Sequence, residues 1–145
     1  MSESSVRVRH NVLAIVLAAV VSFLFEAFWY SVFMEGWLSG IGRTKQWLVS
    51  PGFNPAIQYA TALVCAAVVA LTLSTVTQLT GPQTAFRGIK VGAGLWFGLV
   101  LTTWSTEYIF ELKPPSLLGI NAGFSLCTMV LMGAIVGGWK AKPKG

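Results

Sequence analysis

Apolar positions in this chain come in long blocks, not at the alternating spacing of a half-buried strand or the one-sided stripe of a surface helix. Four blocks stand out, over residues 11–33, 56–79, 88–110 and 116–139, and the charged residues gather mostly between them. Each block has 20 residues or more. At about 1.5 Å rise per residue, such a block covers a hydrocarbon core of roughly 30 Å. The pattern predicts an all-α protein, an integral membrane four-helix bundle forming a single transmembrane domain over residues 1–145.

The breaks between blocks agree. Asn54 and Pro55 open the second span, where proline's missing donor is not needed; Gly81-Pro82 and Lys113-Pro114-Pro115 mark tight turns. Residues 1–10, with Arg7 and Arg9, look like the start of a secretory signal, but the apolar run that follows is too long and has no small-residue cleavage site, so it reads as a retained first helix. Residues 34–53 form the longest connection. They set Trp37, Leu38, Ile41, Trp47 and Leu48 around a polar centre of Gly42, Arg43, Thr44, Lys45 and Gln46, a composition suited to a short interfacial segment between helices 1 and 2.

Composition places the chain outside the soluble range, with 54% hydrophobic and 10% charged residues. The net charge of +5 has a topological explanation. Arg7, Arg9, Arg87, Lys90, Lys140, Lys142 and Lys144 fall on one side, and Arg43, Lys45 and Lys113 on the other. The positive-inside rule then puts both termini in the cytoplasm. No basic face or base-stacking motif accompanies the charge, which argues against nucleic acid. Trp29, Tyr30, Trp37, Trp47, Tyr59, Trp104 and Tyr108 all fall toward the outer side, as an aromatic belt would.

The sequence implies no cofactor and no metal. Cys65 and Cys127 lie mid-span, where a thiol acts as a small hydrophobe, and the single histidine, His10, has no ligand-spaced companions. Gly92-Ala93-Gly94 lies inside a span with no strand before it, so it is not a nucleotide loop. No nucleophile and base pair is recognisable, and the expectation is a protein that is not an enzyme. Small-xxx-small pairs at Gly88/Gly92, Gly94/Gly98, Gly119/Gly123 and Gly133/Gly137 allow close helix packing, within one bundle or across a homo-oligomeric face.

Polar side chains within the spans concentrate toward one end. Glu26 and Glu107 enter the outer halves of helices one and three, and Gln58 and Asn121 those of helices two and four. Burying an ionisable group near a helix centre costs about 2.5 to 3.5 kcal/mol, so Glu26 is a functional candidate by default. Ala19, Ser22 and Glu26 share a line of helix one, with Tyr30 a turn beyond. Trp96, Val100, Thr103 and Glu107 share a face of helix three, flanked by Trp104 and Tyr108. The expected site comprises Glu26, Trp29, Tyr30, Gln58, Trp104, Glu107, Tyr108 and Asn121. A carboxylate among aromatic faces can receive a small cation or a proton. The bland alternative is that both acids snorkel, or accept a neighbour's hydrogen bond, and do nothing further.

Two segments carry a family likeness. FWYSVFMEGWLSGIG, Phe28 to Gly42, and TEYIFELKPPSLLGINAGFSL, Thr106 to Leu126, together with the Trp139 end of the last span, resemble the small bacterial membrane proteins grouped as domain of unknown function 1761. Trp29, Tyr30, Trp37, Glu107, Glu111 and Asn121 hold the positions that carry the resemblance. Met34-Glu35-Gly36 departs from it, standing where a Gly-Lys type of sequence is expected. The resemblance implies the four-span layout and the bacterial cytoplasmic membrane, and brings no activity. The functional expectation is therefore a ligand- or cation-binding or transport module in the lipid bilayer, the alternative being an accessory or assembly subunit.

Overall fold

Side-chain caps set where the helices begin. In the computed structural model, which describes residues 7–141, the Asn11 side chain accepts from the Ala14 amide and starts α1, Val12–Val32. Asn54 accepts from the amides of Ala56 and Ile57 at the head of α3, Pro55–Leu79. Thr84 accepts from the Arg87 amide at the head of α4, Ala85–Phe110. Each satisfies a donor that the first turn leaves without a partner. A short helix α2, Met34–Gly40, and a 3-10 turn, Lys45–Val49, occupy the connection after α1, and α5, Pro115–Gly138, closes the fold. The helix boundaries fall within a few residues of those predicted. The largest difference is α4, which begins three residues early because Thr84, beyond the expected start, supplies its cap. Lys142 and Lys144, counted above toward the inner side, lie outside the described residues.

The four long helices are apolar enough to cross a membrane, and their burial pattern is inverted relative to a soluble bundle. Val12, Leu13, Val16, Leu24 and Phe28 of α1 are exposed, whereas Ala14, Ala18, Ala19 and Ser22 are buried. Large apolar side chains gain nothing by leaving lipid, so the interior goes to residues that let backbones approach. The closest approach is between α4 and α5, which share the most extensive interface in the fold. There Gly88 lies on Gly133, Gly92 on the backbone of Met129, and Gly137 on the carbonyl of Thr84, so tightly that an added Cβ would overlap the opposing carbonyl oxygen in each case.

α5 is the hub, touching α1, α3 and α4, while α1 and α4 flank it without an extended contact of their own among the described residues. A cluster of Ala18, Ala70, Leu73, Met132 and Val136 fills the centre. The hydroxyl of Thr77, fully buried, has no hydrogen-bond partner among the described residues. Valine has the same shape without the stranded polar atom, so Thr77→Val is expected to be neutral or to stabilise the protein by about 1 kcal/mol in equilibrium unfolding. A loss of stability would show that the hydroxyl is bonded.

α4 is not uniformly α-helical. Residues Trp96–Leu101 form a π-helical segment. One inserted residue rotates everything after it by about 100° relative to an unbroken helix, and that rotation decides which side chains of α4 face α5.

Candidate functional site

At the end of the bundle where α1 meets α2, three helices place polar side chains on one hydrogen-bonded line. The Tyr30 hydroxyl of α1 donates to Asn121 Oδ1 of α5 at 2.8 Å, and Asn121 Nδ2 donates to the Tyr108 hydroxyl of α4 at 2.7 Å. Asn121 is thus the bridge between two helices that share no extended contact among the described residues. Two indoles fix the backbone on either side of it. Trp29 Nε1 donates to the Ile120 carbonyl at 3.1 Å, and Trp96 Nε1 to the Ala122 carbonyl at 2.9 Å and Ser125 Oγ at 3.0 Å. A carbonyl has two lone pairs, so each indole can share an acceptor with the helix ladder.

Rings surround the line. Phe124 lies 5.3 Å from Tyr30 and 6.3 Å from Phe25, centroid to centroid. Beyond the helix end the stack continues from Tyr30 to Trp37, Trp37 to Trp47 and Trp47 to Phe53, with the Arg43 guanidinium 5.4 Å above Trp47. The connection between α1 and α3 is therefore an aromatic cover. It is seated by Leu38, which is buried, and by Gly40, which rests on Leu117 of α5.

The carboxylates divide sharply. Glu35 pairs with Lys45 at 3.1 Å, and Glu107 and Glu111 both pair with Lys113 in the turn between α4 and α5. Glu111 beside Lys113 holds its ammonium above the usual lysine range, with Glu107 and Tyr108 adding to the effect. Lys113 also lies 5.0 Å over the Tyr108 ring. Glu26 is different. It is half-buried one turn before Tyr30, continues the buried line of Ala19 and Ser22, and has neither an ion pair nor a hydrogen bond among the described residues.

Of the residues singled out from the sequence, Tyr30, Asn121 and Tyr108 are joined directly, Trp29 braces them, and Glu26 sits a turn away. Gln58 is exposed on α3 and makes no side-chain hydrogen bond among the described residues. Trp104 is half-buried and likewise makes none. Glu107, expected on the inward face with Trp96, is exposed and turned to Lys113 at 3.6 Å. The π-helical segment explains the change. An uninterrupted helix puts residues 96 and 107 on one face; one inserted residue replaces that alignment with 96 and 108. Accordingly Tyr108, only 8% exposed, takes the inward position, and Trp96, expected on that face, supplies the indole there. Nothing in the local sequence marks the insertion, although Gly98 lies within it.

A sequence profile described as Protein of unknown function (DUF1761) matches residues 13–137, which is most of the chain. The chain belongs to the DUF1761 family. No curated protein and no solved structure matches it. The DUF1761 match takes in all four long helices and every member of the hydrogen-bonded line. The four long apolar helices make this DUF1761 member an integral membrane protein.

Proposed function

We propose that this DUF1761 member is a non-catalytic binding module in the membrane, taking a small organic cation or a proton on Glu26, with Trp29, Tyr30, Tyr108 and Asn121 forming the polar and aromatic wall. One observation carries the reading: Glu26 is the one described carboxylate without a partner, and it lies a turn below a line of hydroxyl and amide groups drawn from three helices. A carboxylate in low-dielectric surroundings either holds a proton or pairs with a cation, and aromatic faces favour the cation further. Exchange of the two on one group is the minimum that coupled transport requires. The basic residues at the opposite end support cytoplasmic termini, with the aromatic cover on the outer side.

Tetraphenylphosphonium, a hydrophobic monovalent cation, is a suitable probe. Calorimetric titration of the detergent-solubilised protein is expected to show saturable binding, weakened about 10- to 100-fold by Glu26→Gln, as befits the loss of a charge-assisted contact of about 1.5 to 3 kcal/mol. Folding of the variant is checked by its unchanged helical spectrum.

An accessory or assembly role is supported by a different observation. Gly94 and Gly98 on α4 and Gly119 on α5 are exposed, and a Cβ on any of them would meet nothing within 4 Å. These glycines leave edges on which a second helix can lie. That role gives the opposite result in the same titration, with Glu26→Gln and the unaltered protein indistinguishable.

A further inference from the structure

The end of the bundle away from Glu26 carries a cleft of about 330 Å³ lined by Thr80, Thr84, Phe86, Arg87, Lys90 and Val91. Arg87 is held in place rather than free to swing. Its Nη1 donates to the Thr80 carbonyl, and the Gly81 turn, at φ +139, passes so close beneath it that a Cβ on Gly81 would strike the guanidinium. Lys90 stands one turn along the same face, its ammonium 4.5 Å over the Phe86 ring. Neither cation has a carboxylate partner among the described residues, because the ion pairs are Lys45 with Glu35 and Lys113 with Glu107 and Glu111, all at the other end.

The surroundings are equally one-sided. Arg9 and Lys140 are brought to this end by the bonds from the Arg9 amide to Gln78 and from Asn11 to the carbonyls of Trp139 and Lys140. Along the flank of α4 the cleft turns apolar: Phe86 is 65% exposed and Val91 lies a turn beyond it. A held guanidinium, a second cation over Phe86 and the Thr84 hydroxyl thus stand where the polar end of the bundle gives way to its apolar side. A soluble anion would use only the first half of that arrangement. We propose that the cleft binds the headgroup phosphate of an anionic glycerophospholipid, with Arg87 and Lys90 as charge donors, Thr84 as the hydroxyl donor, and Phe86 and Val91 against the upper acyl chain. The inference depends on the four spans and not on cation binding at Glu26.

Native mass spectrometry of the full-length protein released from detergent micelles tests it, with phosphatidylglycerol, phosphatidylcholine and inorganic phosphate titrated separately. A saturable phosphatidylglycerol adduct is expected. Its affinity should fall about fivefold in Lys90→Gln and about 25-fold when Arg87→Gln is added, at about 1 kcal/mol per juxtamembrane cation. Because Arg87 also braces the turn before α4, Arg87→Lys is measured beside it and should retain most of the binding. Lys45→Gln, at the far end, should change nothing. Equal affinity for phosphatidylcholine and phosphatidylglycerol, or an unchanged phosphatidylglycerol affinity in Lys90→Gln, would overturn the assignment. Occupancy by inorganic phosphate as strong as by the lipid would overturn it too, giving the cleft to a soluble anion.

Discussion

Gly88→Ala is expected to destabilise the protein by about 3 kcal/mol, while Gly94→Ala, two turns along the same helix, is expected to be neutral or to stabilise by up to about 1 kcal/mol. The contrast comes from the opposing atoms. A Cβ on Gly88 meets the carbonyl of Gly133, which belongs to another helix backbone and cannot rotate away, whereas a Cβ on Gly94 meets nothing within 4 Å. Making room at Gly88 would also part the other close contacts of the same seam, at Gly92 and Gly137. Dispersion and packing are most of what holds helices together in lipid, so opening this seam removes stability that no hydrophobic gain restores. Equilibrium unfolding in mixed detergent micelles measures both variants. Similar values for the two would mean that α4 and α5 are not in backbone contact.

The second large effect is expected at Asn121. Asn121→Leu removes the acceptor of Tyr30 and the donor to Tyr108 together, leaving two hydroxyls inside the bundle without their partner. A cost of about 1 to 2 kcal/mol follows, toward the upper end for hydrogen bonds between membrane helices. Tyr30→Phe alone, which removes one bond, should cost about 0.6 kcal/mol. Introducing Asn121→Leu into a Tyr30→Phe/Tyr108→Phe background should cost distinctly less than in the unaltered protein, because the groups it would strand are already gone. Additive losses would show that the three side chains do not act as one line.

Much of this architecture can be read from the residues. Four apolar blocks of sufficient length give the spans, Asn54 and Pro55 give the start of α3, and the glycine pairs point to close crossings. Which glycines serve which contact cannot be read. Gly88/Gly92 and Gly94/Gly98 have the same spacing, yet the first pair is spent on α5 and the second stands open, a difference set by the facing helix. The site was half legible. Depth in the span points to Asn121, and the line of Ala19, Ser22 and Glu26 points to Tyr30. A period of 3.6 residues puts Glu107 on the face of Trp96 with Tyr108 flanking it; the π-helical Trp96–Leu101 segment breaks that period, so Tyr108 takes the inward place instead of Glu107 while Trp96 keeps the one expected. Gln58 shares the depth of the others but lies on the outward side of α3, a direction that the uniformly apolar sequence around it does not mark.

The inverted interior also accounts for the position of Glu26. Glu26 continues the line of Ala19 and Ser22, which are buried, and is itself half-buried one turn before Tyr30. The aromatic cover beyond Tyr30 runs from Trp37 through Trp47 to Phe53.

The proton count that accompanies tetraphenylphosphonium binding is the most direct test of Glu26 as the charge acceptor. Titrations in buffers of different ionisation enthalpy give that count at each pH. A carboxyl that must ionise before it accepts a cation releases a proton in acid, and the cation's affinity falls up to tenfold for each unit of pH below the group's pKa. Release of about one proton at the acid end, absent in Glu26→Gln, is the expected result. Binding that is independent of pH, or accompanied by the same proton release in Glu26→Gln, would contradict it.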